Sequence, residues 1–220
     1  MDEREVAELI GGGAERGAVT AWIAETGGNP FFVKQLARHL EELDGAPVAA
    51  AGVPQGVRDV IAARVGRMSE HAGPVLGVAA LIGRDFDLDL LEPVAGLPED
   101  ELLDVLDAAV RGALLVEVPS TPGRYSFAHA LLRTTLEGEL SAARRARAHL
   151  RIGEAIERVH EARPDPWLAE LARHFGAAGP RAADRAVAYA ERAAAQAHSR
   201  LAYDEAARLL GGAIALRRRD

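Results

Sequence analysis

Cysteine is absent from the 220 residues, so disulfides and thiolate metal centres are excluded, although many proteins lack cysteine and the compartment does not follow from this alone. Lysine is nearly absent: Lys34 is the only one, and it stands between Val33 and Gln35. A Walker A loop needs a lysine after glycine to reach the β and γ phosphates, so this chain builds no P-loop and is not expected to be a self-sufficient NTPase of that type. No apolar run approaches the length of a membrane span, and the acidic start MDEREVAELI lacks the basic and apolar regions of a signal peptide. The expectation is a cytoplasmic protein with no membrane partner. Net charge is −7, which argues against broad attraction to nucleic acid while leaving room for a local basic face.

What is present is apolar and helix-forming. At 49% apolar residues there is ample material for a core, and Ala, Leu, Arg and Glu recur with apolar positions three and four apart. The fold class is mainly α. After Gly11 to Gly13 and a short helix near Trp22, GGNPFF (27–32) opens a helix. Asn29 suits its cap, Pro30 its first position, and Phe32, Leu36, Leu40 and Leu43 its buried stripe. Residues 44–54 read as a loop.

Pro54 opens the next helix, with Val57, Val60, Ile61, Arg64 and Val65 inward; Ser69 caps another running to about Ile82. Asp87 to Ala95 reads as a short helix, and Pro98 to Arg111 as a longer one with Leu102, Leu103, Leu106 and Val110 inward, ended by Gly112. ALLVEV (113–118) and RYSF (124–127) flank PSTPG as two strands of a hairpin. ALLVEV also has the apolar run and acid of a Walker B, but without a P-loop it reads as an ordinary strand. Three helices and a hairpin have the order of a winged helix, placed at 68–140. Helices at about 142–162, 165–177, 182–199 and 201–218 follow, the last two a hairpin of small residues resembling a tetratricopeptide pair. Such repeats stack in threes or more, so the chain reads as incomplete after one clear pair.

ETGGNPFFVKQL, VPQGVRDVIAARVGRMS, AALIGRDFDLDLL and RYSFAHALLRTTLEGEL, in that order and spacing, resemble the second half of the nucleotide-binding module of STAND-class NTPases, particularly the large LuxR-type bacterial regulators. The resemblance covers about residues 1–140. It implies a helical lid at 1–67, a winged helix at 68–140 and helical repeats at 141–220. In the family a P-loop domain precedes the lid, and ATP or ADP is the cofactor of the full-length protein, with none expected tightly bound to these residues alone. The partners implied are that P-loop domain and a protein or small-molecule inducer on the repeats, with direct DNA contact by these residues not expected. A P-loop domain and a terminal helix-turn-helix, both part of the family pattern, are lacking here.

The resemblance also bears on single residues. GNP resembles the lid motif whose proline packs on adenine, which makes Gly28, Asn29 and Pro30 candidates. On local sequence alone the same stretch is a glycine-permitted turn into a capped helix, whose free N–H groups nonetheless suit an anion. FAHALLRTTLE resembles the winged-helix motif that, in related NB-ARC proteins, puts a histidine on the ADP β-phosphate, so His129 joins the candidates, against the reading of a structural histidine. Ala130 stands where that pattern has an aspartate.

Other constellations read as structure. His39, His71, His149, His160, His174 and His198 have no tight metal-ligand spacing, so no metal is expected, and no catalytic triad is visible. ARRARAHLR (143–151) carries Arg144, Arg145, Arg147 and Arg151 without an acid and reads as a surface helix whose arginines pair with acids elsewhere, with a phosphate-binding patch as the alternative. The leading functional expectation is a nucleotide-sensing lid and winged-helix switch of a transcription regulator. The alternatives are a winged-helix DNA-binding protein, opposed by Glu99, Asp100, Glu101, Asp104 and Asp107 on its third helix, and a helical-repeat scaffold.

Overall fold

The computed structural model of the chain describes residues 5–6, 26, 29–30, 32–34 and 53–217; Gly28, the glycine run, the short helix near Trp22, Leu36, Leu40, Leu43 and residues 44–52 lie outside the described residues. The described residues are mainly helical with a small three-stranded sheet, in two compact units.

The first unit comprises residues up to Phe86 together with Pro98–Glu139. Pro54 caps α1 (Gln55–Val65), its carbonyl accepting from the Val57 and Arg58 N–H groups. Val57, Ile61 and Val65 are its buried face, whereas Val60, expected inward, is 37% exposed. α2 (Ala72–Ile82) starts later than a Ser69 cap predicts, because the Ala72 N–H turns back to the Ser69 carbonyl before the helix begins. It is buried almost all round, as its uniformly apolar sequence AGPVLGVAALI requires. α4 (Glu99–Arg111), numbered after α3 in the second unit, buries Leu102, Val105, Leu106 and Ala109 rather than Leu103 and Val110; this is the i, i+3, i+4, i+7 stripe of a single face.

Gly112 ends α4, but the left-handed residue is Ala113 (φ 51°). Ala113 donates to Val110 and Leu114 to Ala109, which reverses the chain and starts β2 (Leu115–Glu117) two residues later than expected. β2 pairs antiparallel with β3 (Arg124–Phe127), Leu115 opposite Phe127 and Glu117 opposite Tyr125, across a turn with Gly123 at φ 80°. A further strand, β1 (Asp85–Asp87), gives the sheet the order β1-β3-β2. Phe86 and Phe127 are buried on it, their rings 5.8 Å apart. α5 (Ala130–Gly138) leaves β3 and packs on α1 and α2.

The second unit comprises Asp87–Leu97 and residues from Leu140 onward. α3 (Leu88–Ala95) packs on α6 (Ala142–Val159), which Ser141 caps by accepting from the Arg144 N–H. α7 (Leu168–Ala177) follows a single 3-10 turn at Asp165–Trp167, and α8 (Ala183–Ser199) one at Pro180–Ala182. α9 (Tyr203–Arg217) completes the row, in which α7 packs on α6, α8 on α7 and α9 on α8. The α7–α8 contact can be this close because the facing residues of α8 are mostly alanines, with Tyr189 stacked on Phe175 at 5.7 Å.

Candidate functional site

His129 stands at the cap position of α5, placed there by β3. The Phe127 N–H donates to the Arg84 carbonyl and the Ala128 N–H to the Leu114 carbonyl, so the backbone entering His129 is held from both sides of the sheet. Leu131, Leu132 and Leu136 then bury the helix beneath it. The backbone fixes the position of the imidazole but not its hydrogen bonding. It makes no side-chain cap, and its Nδ1 is buried without a hydrogen-bond partner among the described residues. Burial, and secondarily the Arg64 guanidinium, lower its pKa, the Ala128 carbonyl opposing them. Burial thus disfavours the charged form of His129, whose Nδ1 has no hydrogen-bond partner among the described residues.

The start of the Pro30 helix meets this imidazole. Asn29 lies outside the helix and Pro30 within it; the Asn29 carbonyl accepts from Val33 N–H at 2.9 Å, the first bond of a helix capped at that residue. Pro30 is exposed while Phe32 is 3% exposed, and the edge of Phe32 meets His129 with ring centroids 5.6 Å apart. Of the sequence candidates, Asn29 and Pro30 precede Phe32, whose ring meets His129, by three and two residues, and Gly28 lies outside the described residues.

Two residues of this neighbourhood carry roles that the pattern alone did not assign. Phe32 read only as part of a buried stripe, yet its ring is the link to His129. Arg64 sits in the last turn of α1, half-buried, with Nη1 donating to the Gly112 carbonyl at 3.3 Å. A lone arginine on the otherwise apolar face Val57, Ile61, Val65 was the signal for it, because a cation at such a position is retained only where something polar meets it.

A second polar cluster lies in the second unit. His149 and His174, both buried, approach through their Nδ1 atoms at 2.9 Å. Arg173 Nη2 donates to His174 Nε2 at 2.7 Å and is itself held by Glu170. An arginine cannot accept, so His174 Nε2 carries no proton; His174 donates through Nδ1, and His149 accepts on Nδ1 with its own proton on Nε2. Burial first, and then Arg173, push both pKa values down. The pair is an apolar-core hydrogen bond between neutral rings. Among the described residues no group of three or more histidines or carboxylates is placed to hold a metal.

The arginine-rich motif departs from expectation. Arg144, Arg145, Arg147 and Arg151 have no acid partner among the described residues; Glu154 and Glu157, beside them on α6, pair instead with Arg185 of α8. The five acids of α4 are all exposed. No protein-family model and no curated protein matches the chain.

Proposed function

We propose that these residues are the lid, winged helix and first repeats of a STAND-type, ATP-dependent transcription regulator, acting as a nucleotide-sensing switch and not as a catalyst. The observation that carries this reading is the Phe32–His129 contact. It joins two motifs about a hundred residues apart, the GNP helix start and the FAHALLR histidine, which the family resemblance independently assigns to one nucleotide.

The described residues fit an adenine nucleotide in two respects. A helix start with an exposed proline offers a flat apolar surface beside backbone N–H groups. Next to it, a buried imidazole nitrogen lacks a partner and a guanidinium lies close enough to bias its titration. The nucleotide would supply charge and a planar base. Pro30 would pack on that base, His129 would hydrogen-bond a phosphate oxygen, and Arg64 would hold the local potential positive without touching the ligand. The lysine and magnesium ligands would come from a P-loop domain. Clamping by lid and winged helix then sets the resting state, and the repeats receive the inducer. The place of action is the cytoplasm.

The test is ADP affinity in the protein that carries this module, with and without His129→Ala. Weaker ADP binding, with inducer-independent transcription, supports the reading; unchanged ADP affinity removes His129 and with it the switch. Direct promoter reading by α4 is the competing function. Its five exposed acids repel phosphate, and nanomolar sequence-selective duplex binding by this chain at physiological salt would establish it instead.

A further inference from the structure

The row of helices in the second unit holds a cleft that periodicity alone did not expose. α7 and α9 both pack on α8, and between them lies a cleft of about 480 Å³. Its floor is where Ala172, Ala190 and Ala213, one from each helix, come together. The space stays open because the flanks carry short side chains: Ala169 and Gly176 on α7, and Gly212 on α9, where an added Cβ would meet nothing within 4 Å. Leu216 narrows one end, its Cδ1 3.7 Å from where a Cβ on Gly176 would stand.

The mouth of the cleft carries the same pair twice. Glu170 and Arg173 of α7 recur 35 residues on as Glu205 and Arg208 of α9, and all four line the cleft. Each arginine is held by its own glutamate, at 2.6 Å on α7 and 2.5 Å on α9, so these four side chains add no net charge. A charged ligand that approached either guanidinium would stand beside the carboxylate that already neutralises it. The walls and floor offer it nothing polar instead. Their side chains are those of Ala, Gly and Leu, and backbone groups in the middle of a helix are taken up by the helix's own hydrogen bonds. What the cleft accepts is therefore apolar inside and polar only at the mouth, where carboxylates accept and guanidiniums donate.

We propose that this cleft is a binding site for a small uncharged molecule with an apolar body and hydrogen-bonding groups at one end. Its volume lies within the range of about 300–1,000 Å³ usual for small-molecule sites, which combine apolar walls with a few convergent polar groups. A further helix of the row is not the occupant. Such a helix would pack on the bare stripe of Tyr203, Leu210 and Ile214, which lies on the side of α9 away from Gly212, and none of the three lines the cleft. That the occupant is the inducer rests on the proposed role of the repeats; the site itself does not.

Fluorescence titration of the 220-residue chain with the uncharged dye Nile red tests this. The expected result is saturable binding of one dye per chain, weakened by about tenfold or more in Gly212→Leu, whose side chain grows into the cleft. Gly211→Leu is the control: a side chain there also meets nothing within 4 Å but does not line the cleft, so it should not weaken binding. Both replacements favour the helix, so neither should lower the thermal melt. Anilinonaphthalene sulfonate, an anion, should bind more weakly than Nile red. Binding that never saturates, or that is indifferent to Gly212→Leu, overturns the proposal. So does binding lost in Leu210→Asp, which would place the dye on the bare stripe. Sulfonate binding tighter than that of Nile red and abolished by Arg208→Gln overturns the uncharged class. None of these readouts involves ADP or transcription, so the cleft and the nucleotide switch fail independently.

Discussion

Phe32 meets His129 edge to face, centroids 5.6 Å apart and ring planes at 81°. The contact joins the Pro30 helix to the cap of α5 and limits how far the imidazole can turn. Removing the imidazole therefore has two separable consequences. Under the proposed nucleotide role, His129→Ala in the protein that carries this module should cost about 1.5–3 kcal/mol of ADP affinity, the worth of a hydrogen bond to a charged group. Equilibrium binding of ADP reads this directly. If His129 serves only packing, the variant instead melts at lower temperature with ADP affinity unchanged. Under the same proposal, Pro30→Ala should act more mildly than His129→Ala, through a looser helix start and the loss of the proposed packing on the base.

Arg64 offers an independent check on the same neighbourhood. Its guanidinium, after burial, is what depresses His129, so Arg64→Gln should move the His129 pKa upward toward the ordinary histidine value. Titration of the imidazole by NMR measures this. An unmoved or lowered value would show that the two groups do not sense one another.

The His149–His174 pair gives the second unit an acid-sensitive stability. Both pKa values are depressed in the folded chain, whereas unfolding releases two histidines that take up protons below about pH 6.5. The unfolded state then binds more protons, so stability is complete above that value and falls as pH drops through it. Two such groups set a limiting slope of about 2.7 kcal/mol per pH unit. Urea unfolding followed from pH 7.5 to about pH 5 should show the decline, and replacing both rings by Leu and Met should flatten it. Replacing one ring alone should destabilise at every pH, because it leaves the other nitrogen buried and unpaired.

How much of this was legible follows from how local each feature is. The Asn29–Pro30 start, the α1 start at Pro54 and the turn over Pro119–Gly123 are set by residues adjacent in sequence, and each lies where its pattern placed it. β1 was not legible: Asp85 and Asp87 on either side of Phe86 have little strand propensity, and the strand exists because β3 offers it a partner. The reversal on Ala113 was assigned to Gly112, since a glycine is the usual left-handed residue and an alanine is not. Arg64 and Phe32 were visible only as members of a face. His149 and His174, 25 residues apart, gain their meaning from the α6–α7 packing, which no spacing rule for metal ligands encodes.

Leu201, after α8, has φ 63° and is 71% exposed. Its N–H donates to His198 and that of Ala202 to Ala197, the same helix-ending reversal seen at Ala113, with a branched side chain where glycine is favoured. Leu201→Gly should therefore stabilise the second unit by about 1 kcal/mol, because it removes left-handed strain and gives up almost no burial. A melting temperature that falls would mean the exposed leucine is held by a contact in solution.

Gly153 in α6 makes the opposite prediction from the usual one for a glycine inside a helix. Glycine-to-alanine substitutions there ordinarily stabilise by roughly 0.5–1 kcal/mol. A methyl group at Gly153, however, would stand 2.7 Å from Cε1 and 2.8 Å from Cζ of Phe175. That ring has nowhere to go: it is fully buried, stacked on Tyr189 and covered by the Arg185 guanidinium at 4.0 Å. The helices α6 and α7 must separate or the ring must leave its rotamer, and either costs about 1–3 kcal/mol. Gly153→Ala should thus lower stability by about 0.5–2 kcal/mol after the helix gain is subtracted. Gly153→Ala combined with Phe175→Leu should recover part of the loss, because the smaller side chain vacates the space the methyl needs. Chemical unfolding of the two variants decides it: a single substitution that stabilises would mean that α6 and α7 are not in contact at this point.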